Sequence, residues 1–148
     1  MRHALKLHSD AEVVFFLGDG LSDLDAVSLG DNNKMCVAVR GNCDYDGIFR
    51  DSFALKTDSI TLFGKKIILT HGDLYGVKYG EGGIISLAES LDADIVLFGH
   101  THQRREFYID GVYYFNPGSI CASYGEHSSY GIITINDKGV LLSHGYID

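Results

Sequence analysis

The stretch that decides the fold is Asp94-Ile95-Val96-Leu97-Phe98-Gly99-His100-Thr101-His102. Its run of consecutive apolar residues predicts a strand that is buried on both faces, as in a parallel sheet. A glycine and two histidines follow directly at the carboxyl end of that strand. Parallel α/β sheets present their functional groups at the carboxyl ends of the strands, so the segment predicts both an α/β fold and a functional edge.

Three earlier segments repeat this pattern of an apolar run followed by a short polar cluster. The clusters are Gly18-Asp19-Gly20, Gly41-Asn42-Cys43-Asp44 and Thr70-His71-Gly72-Asp73. We therefore expect one Asp, one Asn and three His side chains to meet at one edge of the sheet as ligands of divalent metal ions. These candidate ligands are Asp19, Asn42, His71, His100 and His102.

The rest of the chain predicts helices outside two packed sheets, an α/β sandwich in a single domain over residues 1–148. Strands are expected over 13–17, 35–39, 65–69 and 94–98, and helices over 1–10, 22–29 and 84–91. Hairpins are expected over 53–62, over 107–115 and over 130–146, the second of them across the turn dipeptide Asp110-Gly111. Strand edges in the carboxyl half make a homodimer a further expectation.

Composition excludes several classes of function. The formal net charge is −8, from 12 basic and 20 acidic residues, which argues against an extended nucleic-acid surface. No apolar run approaches the ~18 residues of a membrane span. The three cysteines are widely spaced and form neither a disulfide framework nor a CxxC zinc site, so we expect a reducing, cytoplasmic location.

Several neighbouring residues are expected to support the ligands or to bind a phosphate. Asp44 can orient Asn42 or a ligand histidine. The turn Asn116-Pro117-Gly118-Ser119 can expose backbone amides to an anion. Arg40 and Arg104 can neutralise a phosphate, or they can be exposed ion-pair partners.

Each of these clusters, taken alone, is explained as well by an ordinary turn or a hydrogen-bonded loop. The joint pattern favours the metal site, because coincidence does not account for ligand types at the ends of successive strands. The remaining histidines have no such context, and we expect them at the surface. They are His3, His8, His127 and His144.

The motifs, in this order and spacing, resemble those of the small bacterial and archaeal phosphodiesterases of the calcineurin-like metallophosphoesterase superfamily. The resemblance covers nearly the whole chain from about Ala11. It implies a four-layer α/β/β/α fold, two divalent metal ions and hydrolysis of phosphodiesters. Manganese is the metal it implies first, with nickel, zinc or iron as alternatives.

The resemblance also implies roles for the candidate ligands. Asp19 would bridge the two metals, and His102 would bind the first of them. The second site would be completed by Asn42, His71 and His100. The nucleophile would be a metal-bridging hydroxide, made available near neutral pH by the lowered pKa of metal-bound water.

Three departures from the family pattern shape these expectations. The Asp-x-His that usually follows a first strand is absent from the sequence, which leaves the first metal only Asp19 and His102. We therefore expect only the second site to bind its metal tightly, and we expect the fold to be N-terminally truncated. Cys43 stands where larger relatives carry a histidine and where the small phosphodiesterases often carry cysteine, which suggests substrates with good leaving groups. Asp73 stands where many small members carry a second histidine, and we expect it to alter the residues around the ligands or the substrate rim, not the ligand set.

The leading expectation is a metal-dependent phosphodiesterase, a phosphoric diester hydrolase that acts on a small phosphodiester. One alternative is a non-catalytic protein-assembly scaffold of the same fold, which the missing ligands of the first site favour. Another alternative is a phosphomonoesterase or pyrophosphatase. Monoesters carry more negative charge and need more cationic contacts than Arg40 and Arg104 supply.

Overall fold

A computed structural model of the chain describes residues 1–28, 34–44, 54–121 and 127–147. Within them the helices are α1 (Arg2–Leu7), α2 (Leu21–Ser28) and α3 (Gly82–Leu91), and a 3₁₀ helix covers Asp73–Tyr75. The strands are β1 (Val13–Phe16), β2 (Met35–Ala38), β3 (Thr57–Leu62), β4 (Lys65–Thr70), β5 (Ile95–Phe98), β6 (Arg104–Ile109), β7 (Val112–Pro117), β8 (Ser128–Asn136) and β9 (Gly139–Ile147).

A five-stranded mixed sheet, with the order β3-β4-β5-β7-β6, occupies the centre of the molecule. β4, β5 and β7 run parallel, and β3 and β6 are antiparallel edge strands. Every residue of β5 is buried, in agreement with its continuous apolar run. The β6–β7 hairpin turns at Asp110-Gly111, where both residues have positive φ, as predicted.

Side chains of the central strands alternate between two apolar clusters because successive residues of a strand point to opposite faces. One face packs against α3, and its buried members include Ile68, Val96, Tyr114, Ile84 and Ala88. The opposite face packs against β1, β2, β8 and β9. Its buried members are Val39, Ile67, Leu69, Ile95, Leu97, Phe115 and Leu142.

Two small sheets cover this second face. β1 and β2 pair in parallel, and β8 and β9 form an antiparallel hairpin. α1 lies against β9, and the His8 ring nitrogen Nε2 is hydrogen-bonded to the Tyr130 hydroxyl at 3.0 Å. The layers are therefore α3, the central sheet, the two small sheets and α1, which confirms the predicted α/β/β/α sandwich.

Some local predictions were wrong. The hairpin expected over 53–62 lies instead between β3 and β4, because Phe63 and Gly64 both adopt the positive φ values of a tight turn. Residue 53 lies outside the described residues, as does Leu29, the expected end of the second helix. The second predicted sheet is split, since β1–β2 and β8–β9 are separate pairs within the described residues.

Two histidines expected at the surface are half-buried instead. His8 bonds Tyr130, and His144 packs on the Phe115 ring and lies 2.9 Å from the Asn116 carbonyl oxygen. Both contacts join segments distant in sequence, which no local pattern indicates. None of the helices in the described residues is long and apolar enough to cross a membrane.

Candidate metal centre

The loops that follow β1, β2, β4 and β5 come together at one edge of the molecule. His71 Nε2 lies 3.3 Å from Asp19 Oδ2, 3.0 Å from Asn42 Oδ1 and 3.1 Å from His100 Nδ1. Three of the predicted ligands thus surround an imidazole nitrogen of a fourth, His71.

The orientation of His71 determines what that nitrogen offers. His71 is 2% exposed, and its Nδ1 lies 2.7 Å from the carbonyl oxygen of Leu17. A carbonyl oxygen only accepts hydrogen bonds, so Nδ1 carries the proton and donates it. In the neutral ring, Nε2 then presents a lone pair toward the oxygens of Asp19 and Asn42, which are acceptors too. A cation among these atoms relieves their mutual repulsion.

The donor set fits a divalent metal ion. Ligand atoms bound at about 2.0–2.2 Å lie roughly 3.0–3.5 Å from one another, and the three distances from His71 Nε2 fall in that range. One carboxylate, one amide and two imidazoles suit manganese, nickel, zinc or iron. In the described ranges no group of three or more His, Cys, Asp or Glu side chains is already arranged to hold a metal. A bound ion would therefore need the Asn42 amide oxygen as a ligand beside Asp19, His71 and His100.

Backbone strain coincides with the predicted ligands. Asp19, His100 and His102 have φ of 59°, 65° and 59°, in the left-handed region that residues other than glycine seldom adopt. His102 is half-buried in the turn after His100. Strained residues of this kind persist where the surrounding structure fixes them, and they concentrate at functional sites.

Two glycines allow the loops after β1 and β2 to touch. A Cβ at Gly41 would lie 2.0 Å from Asp19 Oδ1, and a Cβ at Gly18 would lie 2.5 Å from the Gly41 nitrogen. Only glycine fits at either position. No local pattern in the sequence indicated that the loops after β1 and β2 approach each other this closely.

Asp44 holds this pair of loops together. Its carboxylate accepts hydrogen bonds of 2.7–3.0 Å from the backbone N–H groups of Asp19, Gly20, Leu21 and Gly41. Burial raises the pKa of Asp44, but the four N–H donors outweigh it and keep the pKa below its ordinary value. Asp44 therefore fixes the backbone beneath Asp19 and Asn42, rather than a ligand side chain directly.

Cys43 orients the bridging candidate Asp19 through its backbone. The Cys43 N–H donates to Asp19 Oδ1 at 2.8 Å, which leaves Oδ2 to face His71. The side chain of Cys43 is exposed. The charge of Asp19 first, and then partial desolvation and Asp44, raise the pKa of the Cys43 thiol, so its neutral form is favoured.

Two lysines at the rim were missed by sequence analysis. The Lys56 ammonium donates to the Gly41 carbonyl at 3.0 Å and pairs with Asp73 at 3.4 Å. Burial first, and then the charges of Lys78 and His71, lower the pKa of His100 and favour its neutral, metal-binding form. A turn signal in the sequence, the glycines Gly72 and Gly76 around Asp73–Tyr75, was available for Lys78. No local pattern was available for Lys56.

Asn116 supports the loop that carries His100. It is fully buried, and its Nδ2 donates to the Gly99 carbonyl at 3.0 Å and to Thr101 Oγ1 at 3.1 Å. The Gly118 N–H, expected to face an anion, donates at 3.0 Å to Asn116 Oδ1. The turn thus holds the histidine loop in place.

The two candidate arginines lie in different surroundings. The Arg40 backbone N–H donates to the Leu55 carbonyl at 2.8 Å. This bond lies beside an isolated parallel β-bridge between Val39 and Leu55, just after the end of β2. The Arg104 guanidinium lies over the Tyr146 ring of β9, 5.0 Å from its centroid.

Similarity to known proteins agrees with this geometry. Residues 1–138 match the calcineurin-like phosphoesterase superfamily domain. The chain is 37% identical over 105 residues to the probable metallophosphoesterase YsnB of Bacillus subtilis, an alignment that covers 70% of this chain and 59% of that protein. It is 29% identical over 122 residues to the phosphodiesterase YfcE of Escherichia coli K12, covering 71% and 60%.

A solved structure has the same fold. It is that of a conserved predicted phosphoesterase from Streptococcus pneumoniae TIGR4, which superimposes with a TM-score of 0.76 at 22% identity and covers 98% of this chain and 80% of the other. The matched region spans about three fifths of the length of the two curated relatives. On the match over residues 1–138, the chain belongs to the calcineurin-like phosphoesterase superfamily.

Proposed function

We propose that this protein is a metal-dependent phosphodiesterase that hydrolyses small phosphodiesters at a binuclear site. The observation that carries the proposal is the convergence of Asp19, Asn42 and His100 on the lone pair of His71 Nε2. Family membership implies divalent metal ions, and the donor types present suit them. Asp19 and His102 would hold the other ion, the one that the family resemblance assigns to the first site.

Each residue has a definite task in this proposal. Bound divalent ions would supply positive charge and a water of lowered pKa as nucleophile. The Leu17 carbonyl holds the proton of His71 on Nδ1, which keeps Nε2 directed into the site. Asn42 contributes an uncharged oxygen, so the single carboxylate of Asp19 leaves net positive charge for the phosphoryl oxygens.

The charge around the site supports a diester over a monoester. The positive charge of Lys78 acts to lower the pKa of both His100 and Cys43. Its ammonium can therefore attract one negative charge of a phosphate. Lys56 is already paired with Asp73. The chain as a whole carries −8, which disfavours a doubly charged monoester.

The test is hydrolysis of bis(p-nitrophenyl) phosphate and p-nitrophenyl phosphate with manganese, nickel, zinc or ferrous iron added to the metal-free protein. We expect metal-dependent turnover with the diester preferred, and loss of that turnover in His71→Ala and Asn42→Ala. Asn42 is exposed, so its variant keeps the fold and separates activity from folding. The matched control is His127→Ala, an exposed histidine outside the cluster.

Two results would overturn the proposal. Equal metal-dependent turnover in Asn42→Ala and the unaltered protein would place the chemistry elsewhere, and a preference for the monoester would reassign the substrate class. If the folded protein binds metal but hydrolyses neither ester, the scaffold alternative of the same fold gains support.

A further inference from the structure

The side-chain amide of Asn42 is contacted at both ends, and the two contacts differ chemically. Its Oδ1 lies 3.0 Å from His71 Nε2, and its Nδ2 donates a hydrogen bond to Cys43 Sγ at 3.4 Å. A half-turn of the amide would exchange its oxygen and its nitrogen. Only the oxygen can bind a cation, because the amide nitrogen is a donor and not an acceptor. The orientation of this amide therefore decides whether Asn42 can be a metal ligand.

The contact with His71 does not favour the observed orientation. The Leu17 carbonyl, 2.7 Å away, holds the proton of the His71 ring on Nδ1, so Nε2 presents a lone pair. A lone pair attracts an N–H donor, and this contact alone would turn Nδ2 of Asn42 toward the imidazole. Even where His100 Nδ1 donates to that lone pair from 3.1 Å, an amide oxygen gains nothing by facing it. Another contact must therefore hold the oxygen toward the site in the metal-free protein.

The sulfur of Cys43 supplies that contact. Within the described residues, it is the hydrogen-bond acceptor that Asn42 Nδ2 reaches. A thiol is a weak acceptor. It is sufficient here, because it has only to outweigh the difference between two orientations of one exposed side chain.

The backbone of the loop after β2 fixes the position of this sulfur. The Cys43 N–H donates to Asp19 Oδ1 at 2.8 Å. The next residue, Asp44, accepts hydrogen bonds from four backbone N–H groups. Cys43 thus contacts Asp19 through its backbone and Asn42 through its side chain. One residue outside the donor set is bonded to two of the candidate ligands.

We propose that Cys43 is a positioning residue whose sulfur holds the Asn42 amide with its oxygen toward the metal. The inference rests on the proposed function, because it takes Asn42 as a ligand. In this role the thiol neither binds the metal nor transfers a proton. The site is then preorganised before a metal arrives, whereas a variant without an acceptor at position 43 must first turn the amide.

The experiment is a calorimetric titration of the metal-free protein with manganese, which prefers oxygen donors to thiolate. Cys43→Ala removes the acceptor and should weaken binding about fivefold, by loss of one hydrogen bond. Cys43→Ser keeps an acceptor oxygen and should recover most of that affinity. In Asn42→Asp both terminal atoms of the side chain are oxygens, so no orientation has to be set. Adding Cys43→Ala to Asn42→Asp should therefore leave the affinity of that variant unchanged.

The control is Cys121→Ala, which removes another exposed thiol outside the donor loops and should leave the affinity unchanged. Equal losses in Cys43→Ala and Cys43→Ser, or a loss that persists in the Asn42→Asp background, would overturn the proposal. If Asn42→Asp binds no manganese, the comparison of Cys43→Ala with Cys43→Ser decides.

Failure of the proposed function would give a different result. Asn42→Ala would then bind manganese as tightly as the unaltered protein. If Asn42→Ala loses the metal and Cys43→Ala binds it with full affinity, the role of Cys43 is overturned and the metal site remains.

Discussion

The two sides of the candidate metal centre are supported very differently. His71 and His100 follow β4 and β5, whose last four residues are all buried in the central sheet. Asp19 and Asn42 follow β1 and β2, in which no residue of either strand is fully buried and Met35 is 50% exposed. His71 and His100 therefore lie on a tightly packed side of the site, and Asp19 and Asn42 lie on an open side.

The open side is held mainly by contacts between loops. The Leu17 carbonyl accepts from His71 Nδ1, and the Asp44 carboxylate accepts from four backbone N–H groups. Segments with few buried apolar contacts open locally at low free-energy cost. Asp19 and Asn42 are therefore positioned by this loop junction more than by burial of their strands.

The largest loss of stability should come from a side chain that fills the space between the two loops on the open side. Gly41→Ala places a Cβ 2.0 Å from Asp19 Oδ1, so the loops must separate. We expect a loss of about 3 kcal/mol in the free energy of unfolding and loss of metal binding. Urea unfolding and metal titration measure both. Gly82→Ala, where a Cβ meets nothing within 4 Å, should leave metal binding unchanged and should not lower the free energy of unfolding, because Gly82 begins α3 and alanine favours a helix.

The next effect should come from Asp44→Asn, which replaces an acceptor oxygen by a donor that faces backbone N–H groups. We expect a loss of about 2 kcal/mol at neutral pH. Because the pKa of Asp44 is lowered in the folded protein, its stabilisation is present above the unfolded pKa of about 3.9 and is lost as pH falls through the folded pKa. The free energy of unfolding of the variant should therefore fall less steeply as the pH decreases. Unfolding curves at a series of pH values would show this as a flatter acid limb.

The comparison variant for that acid limb is Asp58→Asn. Within the described residues, Asp58 accepts only a local hydrogen bond, at 2.8 Å, from the N–H of Ser59. Its replacement should leave the limb nearly as steep as in the unaltered protein. An equally flat limb in both variants would show that Asp44 has no special part in holding the loops.

A smaller effect is expected on the packed side. Asn116→Ala removes hydrogen bonds to Gly99 and Thr101, which support the His100 loop. Because β5 and β7 still hold the loop, we expect about a tenfold loss of metal affinity with the fold retained. Asn136→Ala, which removes a similar local bond in the β8–β9 turn, is the control. Unchanged affinity in Asn116→Ala would mean that strand packing alone positions His100.

The smallest effect should come from the rim. Lys56→Met removes the bond to the Gly41 carbonyl and the ion pair with Asp73, and both side chains are partly exposed. We expect a loss below about 1 kcal/mol, which a double-mutant cycle with Asp73→Asn can resolve. Lys65→Met, which removes a similar pair with Asp94, gives the reference. A loss as large as that of Asp44→Asn would make the rim a main support of the open side.

The sequence predicted the packed side better than the open side, for a physical reason. Continuous apolar runs mark β4 and β5 as buried strands, and the histidines follow at once. The role of Asp44 was missed because its partners lie 23 to 25 residues away, apart from Gly41. The mutual approach of Gly18 and Gly41 was missed for the same reason, since no local pattern records contacts between loops.

Edge strands were also harder to predict than buried strands. β3 mixes exposed and half-buried residues, so its pairing depends on the turn at Phe63-Gly64 rather than on an apolar pattern. The buried contacts of His144 likewise depend on packing between β9 and the central sheet. Long-range pairing of this kind requires the assembled fold.

A calorimetric titration of the metal-free protein with manganese or zinc asks directly whether these loops form a metal site. We expect saturable binding of at least one ion per chain, lost in Asn42→Ala and His71→Ala variants that keep their circular dichroism, and retained in His127→Ala. Binding that is equally strong in Asn42→Ala, His71→Ala and the unaltered protein would contradict it, as would no binding at all by the folded chain.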